Sequence, residues 1–92
     1  MVPKNRRPTS PGEILREEFL AAKQLTQGGL ADLMGVPIQR INLLVNDKRA
    51  VTAETAILLA RALGTTPEFW MNLQTKCDLW DAQRNMKEAR TA

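Results

Sequence analysis

The 92-residue chain contains no histidine and a single cysteine, Cys77. Without an imidazole or a cysteine pair it offers neither the commonest general base nor the usual ligand set of a zinc site, and no internal disulfide can form. Its five glycines are not gathered into a phosphate-binding loop. Glu13, Glu17 and Glu18 fall at a helix start and on a solvent face, not around a pocket. No enzymatic activity, metal or cofactor is therefore expected, and Cys77 is expected to be a small core residue in a reducing compartment. No run of about 18 apolar residues occurs, and the opening MVPKNRRPTSP lacks the apolar centre of a secretory signal. A cytoplasmic protein with no membrane partner is expected.

What the chain does carry is helix punctuation. Ser10-Pro11-Gly12-Glu13 combines an N-cap serine, a proline at the first helical position and a glutamate three residues after the cap. The helix that follows, to about Ala22, is expected to bury Leu15, Phe19 and Ala22. Thr26 caps a short second helix with Leu30, Ala31 and Met34 facing inward, in which Gly28 and Gly29 each cost about 1 kcal/mol of propensity relative to alanine. A third helix runs from Pro37 to about Asn46, a fourth from the Thr52 cap to Leu63-Gly64, and a fifth from Thr66-Pro67-Glu68. No stretch alternates with period two for long enough to form a sheet. The expected fold is all-α: a five-helix, lambda-repressor-like helix-turn-helix domain over residues 10–82, preceded by a flexible arm, 1–9, and followed by a frayed tail, 83–92.

The interruption at Gly35-Val36-Pro37 breaks one amphipathic pattern into two helices. A helix-turn-helix unit needs a small residue where the helices touch, a glycine where the turn requires positive φ, and apolar anchors on each side. Ala31, Gly35, and then Val36, Ile41 and Leu44 supply these in order. At about 100° per residue, Ile38, Ile41, Leu44 and Val45 of the third helix share one face. Opposite or flanking lie Gln39, Arg40, Asn42, Leu43 and Asn46, with no acid before Asp47. Amides pair with adenine, arginine with guanine, and an apolar tip with a thymine methyl, so these five are the candidate base-reading residues. Leu43 could instead join a partner interface. Thr26 and Gln27 at the start of the second helix, and Lys48 and Arg49 after the third, are placed to hold the DNA backbone. The formal net charge of +3 agrees, because positive residues gather on the arm and around the third helix.

The stretches RPTSPGEILREEFL, LADLMGVPIQRINLLVNDKRAVTAETAILLARALGTTPEFWMNLQ and DLW resemble the HigA family of antitoxins, within the Xre/Cro-like helix-turn-helix proteins. The resemblance runs from about Arg7 to Trp80. It implies a protein that neutralises a cognate toxin, typically a HigB protein of the RelE-like mRNA-cleaving class, and represses its own operon as a dimer on operator DNA. Gly28-Gly29 and Leu43 depart from the family pattern.

Phe69, Trp70, Leu73, Cys77 and Trp80 form a stripe on the fifth helix. Trp80, with Leu79 beside it, is the candidate homodimer contact, the other possibility being a tryptophan folded back on its own core. Two modules are expected on an inverted repeat, since paired half-sites match a two-fold dimer. Lys4, Arg6 and Arg7 of the arm are the candidate toxin contacts, by analogy with antitoxin segments that order on their toxin. The same arm could enter a minor groove or take no part. A stand-alone repressor without a toxin fits the helix-turn-helix pattern equally well.

Overall fold

The computed structural model describes residues 6–91, and the side chains of residues 6–87. It is all helical, with no strand among the described residues. Helix α1 starts over Pro11–Ile14 and continues as a π-helix over Leu15–Ala21. Then follow α2 (Gln27–Met34), α3 (Ile38–Val45), α4 (Ala53–Leu63) and α5 (Pro67–Thr91). Helix α4 packs on α5 and α2, α2 on α3, and α1 on α3 and α5, around one core centred on Leu15, Leu30, Ile41, Ala56, Leu59 and Trp70. None of these helices is long and apolar enough to cross a membrane.

The start signals act as local chemistry requires. The Ser10, Thr26 and Thr52 hydroxyls accept hydrogen bonds from the backbone N–H three residues on, and Thr66 does the same for Phe69. Gly35 and Gly64 take left-handed backbone, φ +69° and +73°, at the ends of α2 and α4. Trp70 is completely buried, its indole N–H donating to the Thr65 hydroxyl at 2.7 Å. Its ring meets those of Phe19 and Phe69, with centroids 5.4 and 5.1 Å away.

Three expectations are corrected. In α1 the i→i+5 hydrogen bonding of the π segment brings residues five apart onto one face, so Leu15 and Leu20 are buried while Phe19 is only half-buried and Ala22 is exposed. The arm is not loose throughout: Arg7 makes two 3.0 Å bonds to the Asp81 carboxylate, and the Cys77 thiol donates to the Pro8 and Thr9 carbonyls, tying residues 7–9 to α5. Helix α5 extends past Gln83, through Thr91, since Ala82 to Thr91 contains neither glycine nor proline to stop it.

Candidate nucleic-acid interface

The corner between α2 and α3 is built by its backbone. Met34 ends α2, Gly35 turns left-handed, and the Val36 N–H returns to the Ala31 carbonyl at 3.0 Å. Ala31 is buried at the contact. Ile41, Leu44 and Val45 then clamp α3 onto the core, each at most 3 % exposed. The opposite side of α3 is left in solvent.

Four of the five candidate reading residues stand on that side. Gln39, Asn42, Leu43 and Asn46 are exposed. The Asn42 amide donates to the Gln27 side-chain oxygen at 3.4 Å, linking the start of α2 to the middle of α3. Gln27, Ile38, Gln39, Asn42 and Leu43 together line one concavity. Asn46 donates its side-chain N–H back to the Asn42 carbonyl at 2.9 Å, near the end of the helix.

Arg40 departs from the expectation. Its guanidinium turns to α4, donating to the Thr55 hydroxyl at 2.7 Å and meeting the Glu54 carboxylate at 3.5 Å, and its side chain is only 18 % exposed. Its Nε is buried without a hydrogen-bond partner among the described residues. Arg40 therefore braces α3 against α4 instead of joining the exposed amides. Ile38 departs in the other direction and is 48 % exposed. Both sit at the edges of the apolar stripe, where a helical wheel alone does not decide which way a side chain goes. Arg40 sits beside Leu44 and finds a hydroxyl and a carboxylate on the neighbouring helix. Ile38, the first residue after Pro37, stands beyond the reach of the core.

Of the backbone-holding candidates, Gln27 lines the concavity with Gln39 and Asn42, whereas Lys48 and Arg49 line another, with Arg7, Asp47, Asp78 and Asp81. Thr26 and Gln27 open α2, and the exposed Lys48 and Arg49 follow α3. Between them Asp47 takes left-handed backbone, φ +57°, and accepts the Ser10 hydroxyl at 2.8 Å, fastening the end of α3 to the start of α1. Gln74 does a related task from α5. Almost buried, it accepts the Val51 N–H at 2.8 Å and donates to Asp78 at 2.8 Å, holding the α3–α4 connection. Neither role is visible in the sequence, because each joins residues more than 20 positions apart.

The remaining candidates lie on α5 and the arm. Leu79 is 56 % exposed, and Trp80 is half-buried beneath the Arg84 guanidinium, 5.2 Å above its ring. Arg6 is exposed, Arg7 is paired with Asp81, and Lys4 lies outside the described residues. The Arg7 bond holds the Asp81 carboxyl below its ordinary range, while burial pushes the Cys77 thiol up, against the opposing influence of Arg7. Cys77 is a protonated core thiol.

A helix pinned by a glycine corner, with its outer face free and the start of the preceding helix beside it, is the arrangement by which helix-turn-helix proteins enter the major groove. The architecture is that of a DNA-binding protein of this class. The helix-turn-helix family model matches residues 15–70. Antitoxin HigA-1 of Vibrio cholerae is 47% identical over 83 residues, 90% of this chain and 78% of that protein. An uncharacterized HTH-type transcriptional regulator of Haemophilus influenzae is 46% identical over 82 residues, 89% and 77% of the two chains. The solved structure of Pseudomonas aeruginosa antitoxin HigA with the higBA promoter superposes with a TM-score of 0.83 at 39% identity, covering 90% of this chain and 91% of that one. The chain belongs to the helix-turn-helix family and, within it, to the HigA antitoxins.

Proposed function

We propose that the protein is the antitoxin of a type II toxin-antitoxin pair. It binds and neutralises a HigB/RelE-like mRNA-cleaving toxin and, as a dimer, binds an inverted repeat in its own promoter to repress the operon. The observation that carries the DNA half is the exposed strip of Gln39, Asn42 and Asn46 on α3, in a fold shared with an antitoxin HigA solved with promoter DNA. These amides suit adenine edges, and Thr26, Gln27, Lys48 and Arg49 suit phosphates on either side. Leu79 and Trp80 offer the apolar surface for the dimer, on a helix that reaches well past the core. Arg6 is an exposed cation of the arm for an acidic toxin surface, whereas Arg7, also exposed, must leave Asp81 to take part.

The test is an anisotropy titration of the protein against its own promoter and a scrambled duplex at several salt concentrations, followed by co-purification with the product of the neighbouring reading frame. Specific binding that weakens steeply with salt supports the repressor, through counterion release. A tight, inactive complex with an RNA-cleaving neighbour supports the antitoxin. The likeness to the Haemophilus influenzae transcriptional regulator favours a second reading, a repressor acting without a toxin. Specific operator binding with no toxin partner would select it.

A further inference from the structure

The amide strip of α3 is bounded on both sides by aliphatic side chains that the core does not cover. Ile38 is 48 % and Leu43 40 % exposed, and the two lie about 140° apart around the helix axis, with Asn42, Asn46 and Gln39 between them. Ile38 is left open from the α2 side as well. A β-carbon on Gly28 would stand 3.6 Å from Ile38 Cδ1, and glycine leaves that space empty. Both aliphatic groups line the same concavity as Gln27, Gln39 and Asn42.

We propose that Ile38 is a base-specificity residue that takes the 5-methyl group of a thymine in the major groove, with Leu43 doing the same at the other margin of the strip. The proposal rests on the operator-binding reading above. Thymine carries the one apolar group on the major-groove edge of the four bases. An aliphatic tip placed against it removes two apolar surfaces from water, whereas the same tip against a guanine or cytosine edge would desolvate a hydrogen-bonding group without replacing its partner. The neighbours argue for DNA as the occupant. No acidic residue lies between Gly35 and Asn46, the side chains between the two aliphatic groups are all amides, and the cations Lys48 and Arg49 stand just beyond Asp47, whose carboxylate is tied to the Ser10 hydroxyl. A thymine at each margin of an amide-read adenine is therefore the expected half-site pattern.

The test replaces thymine by deoxyuridine in the duplex of the protein's own promoter, one position at a time, and measures binding of the wild type and of Ile38→Ala by anisotropy at fixed salt. Removal of one buried methyl is expected to weaken the wild type about fourfold at each of two thymines per half-site, one facing Ile38 and one facing Leu43; the first of these is the thymine that the variant tests. Ile38→Ala should lose that sensitivity at this thymine alone, while keeping the wild-type response at the position facing Leu43. Because the methyl is removed from the DNA, loss of folding cannot imitate the result. Equal binding of thymine and deoxyuridine duplexes, or full sensitivity retained by Ile38→Ala, would overturn the proposal and leave the aliphatic pair to a protein contact. No preference for promoter over scrambled DNA would overturn the operator-binding reading along with it.

Discussion

Replacing Gly12 by alanine should loosen the α1–α3 contact by which α3 is held. Gly12 is buried in the first turn of α1, against the last turn of α3. A β-carbon there would press on the Leu44 carbonyl oxygen and lie 2.5 Å from Asp47 Oδ1 and 3.1 Å from the Val45 carbonyl oxygen. None of these oxygens can yield cheaply. The Leu44 carbonyl accepts the Asp47 N–H, the Val45 carbonyl accepts the Arg16 guanidinium at 3.0 Å, and Asp47 is tied to Ser10 through its other oxygen. Overpacking of this kind costs about 1–3 kcal/mol, partly offset by the ~0.4–1 kcal/mol gained when alanine restricts the unfolded chain. At the middle of both ranges a net loss of about 1.3 kcal/mol remains, which for a domain of this size lowers Tm by roughly 5–10 °C. Thermal melting followed at 222 nm measures it, with Gly28→Ala as the control of opposite sign, since a β-carbon there meets Ile38 at 3.6 Å, an ordinary contact. An unchanged or raised Tm for Gly12→Ala would refute the reasoning.

Gln39→Ala should relax discrimination at one base by ~1–3 kcal/mol, whereas Arg40→Ala should weaken binding to all operator variants alike and lower Tm, because Arg40 braces α3 through Thr55; a matrix of single-base operator changes separates the two. Gln74→Leu should cost about 1–3 kcal/mol in urea unfolding, since the buried Val51 N–H loses its acceptor. The Arg7–Asp81 pair should add its full stability above the ordinary Asp value of 3.8, because its folded-state carboxyl is held lower, and lose it progressively as pH falls from there through that lowered value. With side chains 39% and 45% exposed, the pair is worth about 0.5 kcal/mol or less, so Asp81→Asn should melt slightly below the wild type at pH 7 and level with it in strong acid.

The parts of the molecule that were legible in the sequence are those whose causes lie within four or five residues. Serine and threonine caps, the helix starts at Pro11 and Pro67, Gly35 at the corner and the buried triplet Ile41, Leu44 and Val45 depend on local hydrogen bonding, backbone sterics and helical periodicity, and each stands where the sequence puts it, while Pro37 stands one place outside α3 as its N-cap. Gln39, Asn42, Leu43 and Asn46 emerged on the open face for the same reason. The tertiary structure decided what lay at the edges of those patterns. Whether Arg40 faced outward or toward α4 depended on Thr55 and Glu54, fifteen and fourteen positions away. The order of residues 7–9 depended on Asp81 and Cys77 across the whole domain, and the burial of Leu20 on a π segment that no wheel of fixed pitch describes. Local sequence sets the helices and their two faces, because dihedral preference and i→i+4 geometry act over one turn. Which boundary residues turn outward to meet a partner is settled only when distant side chains compete for them.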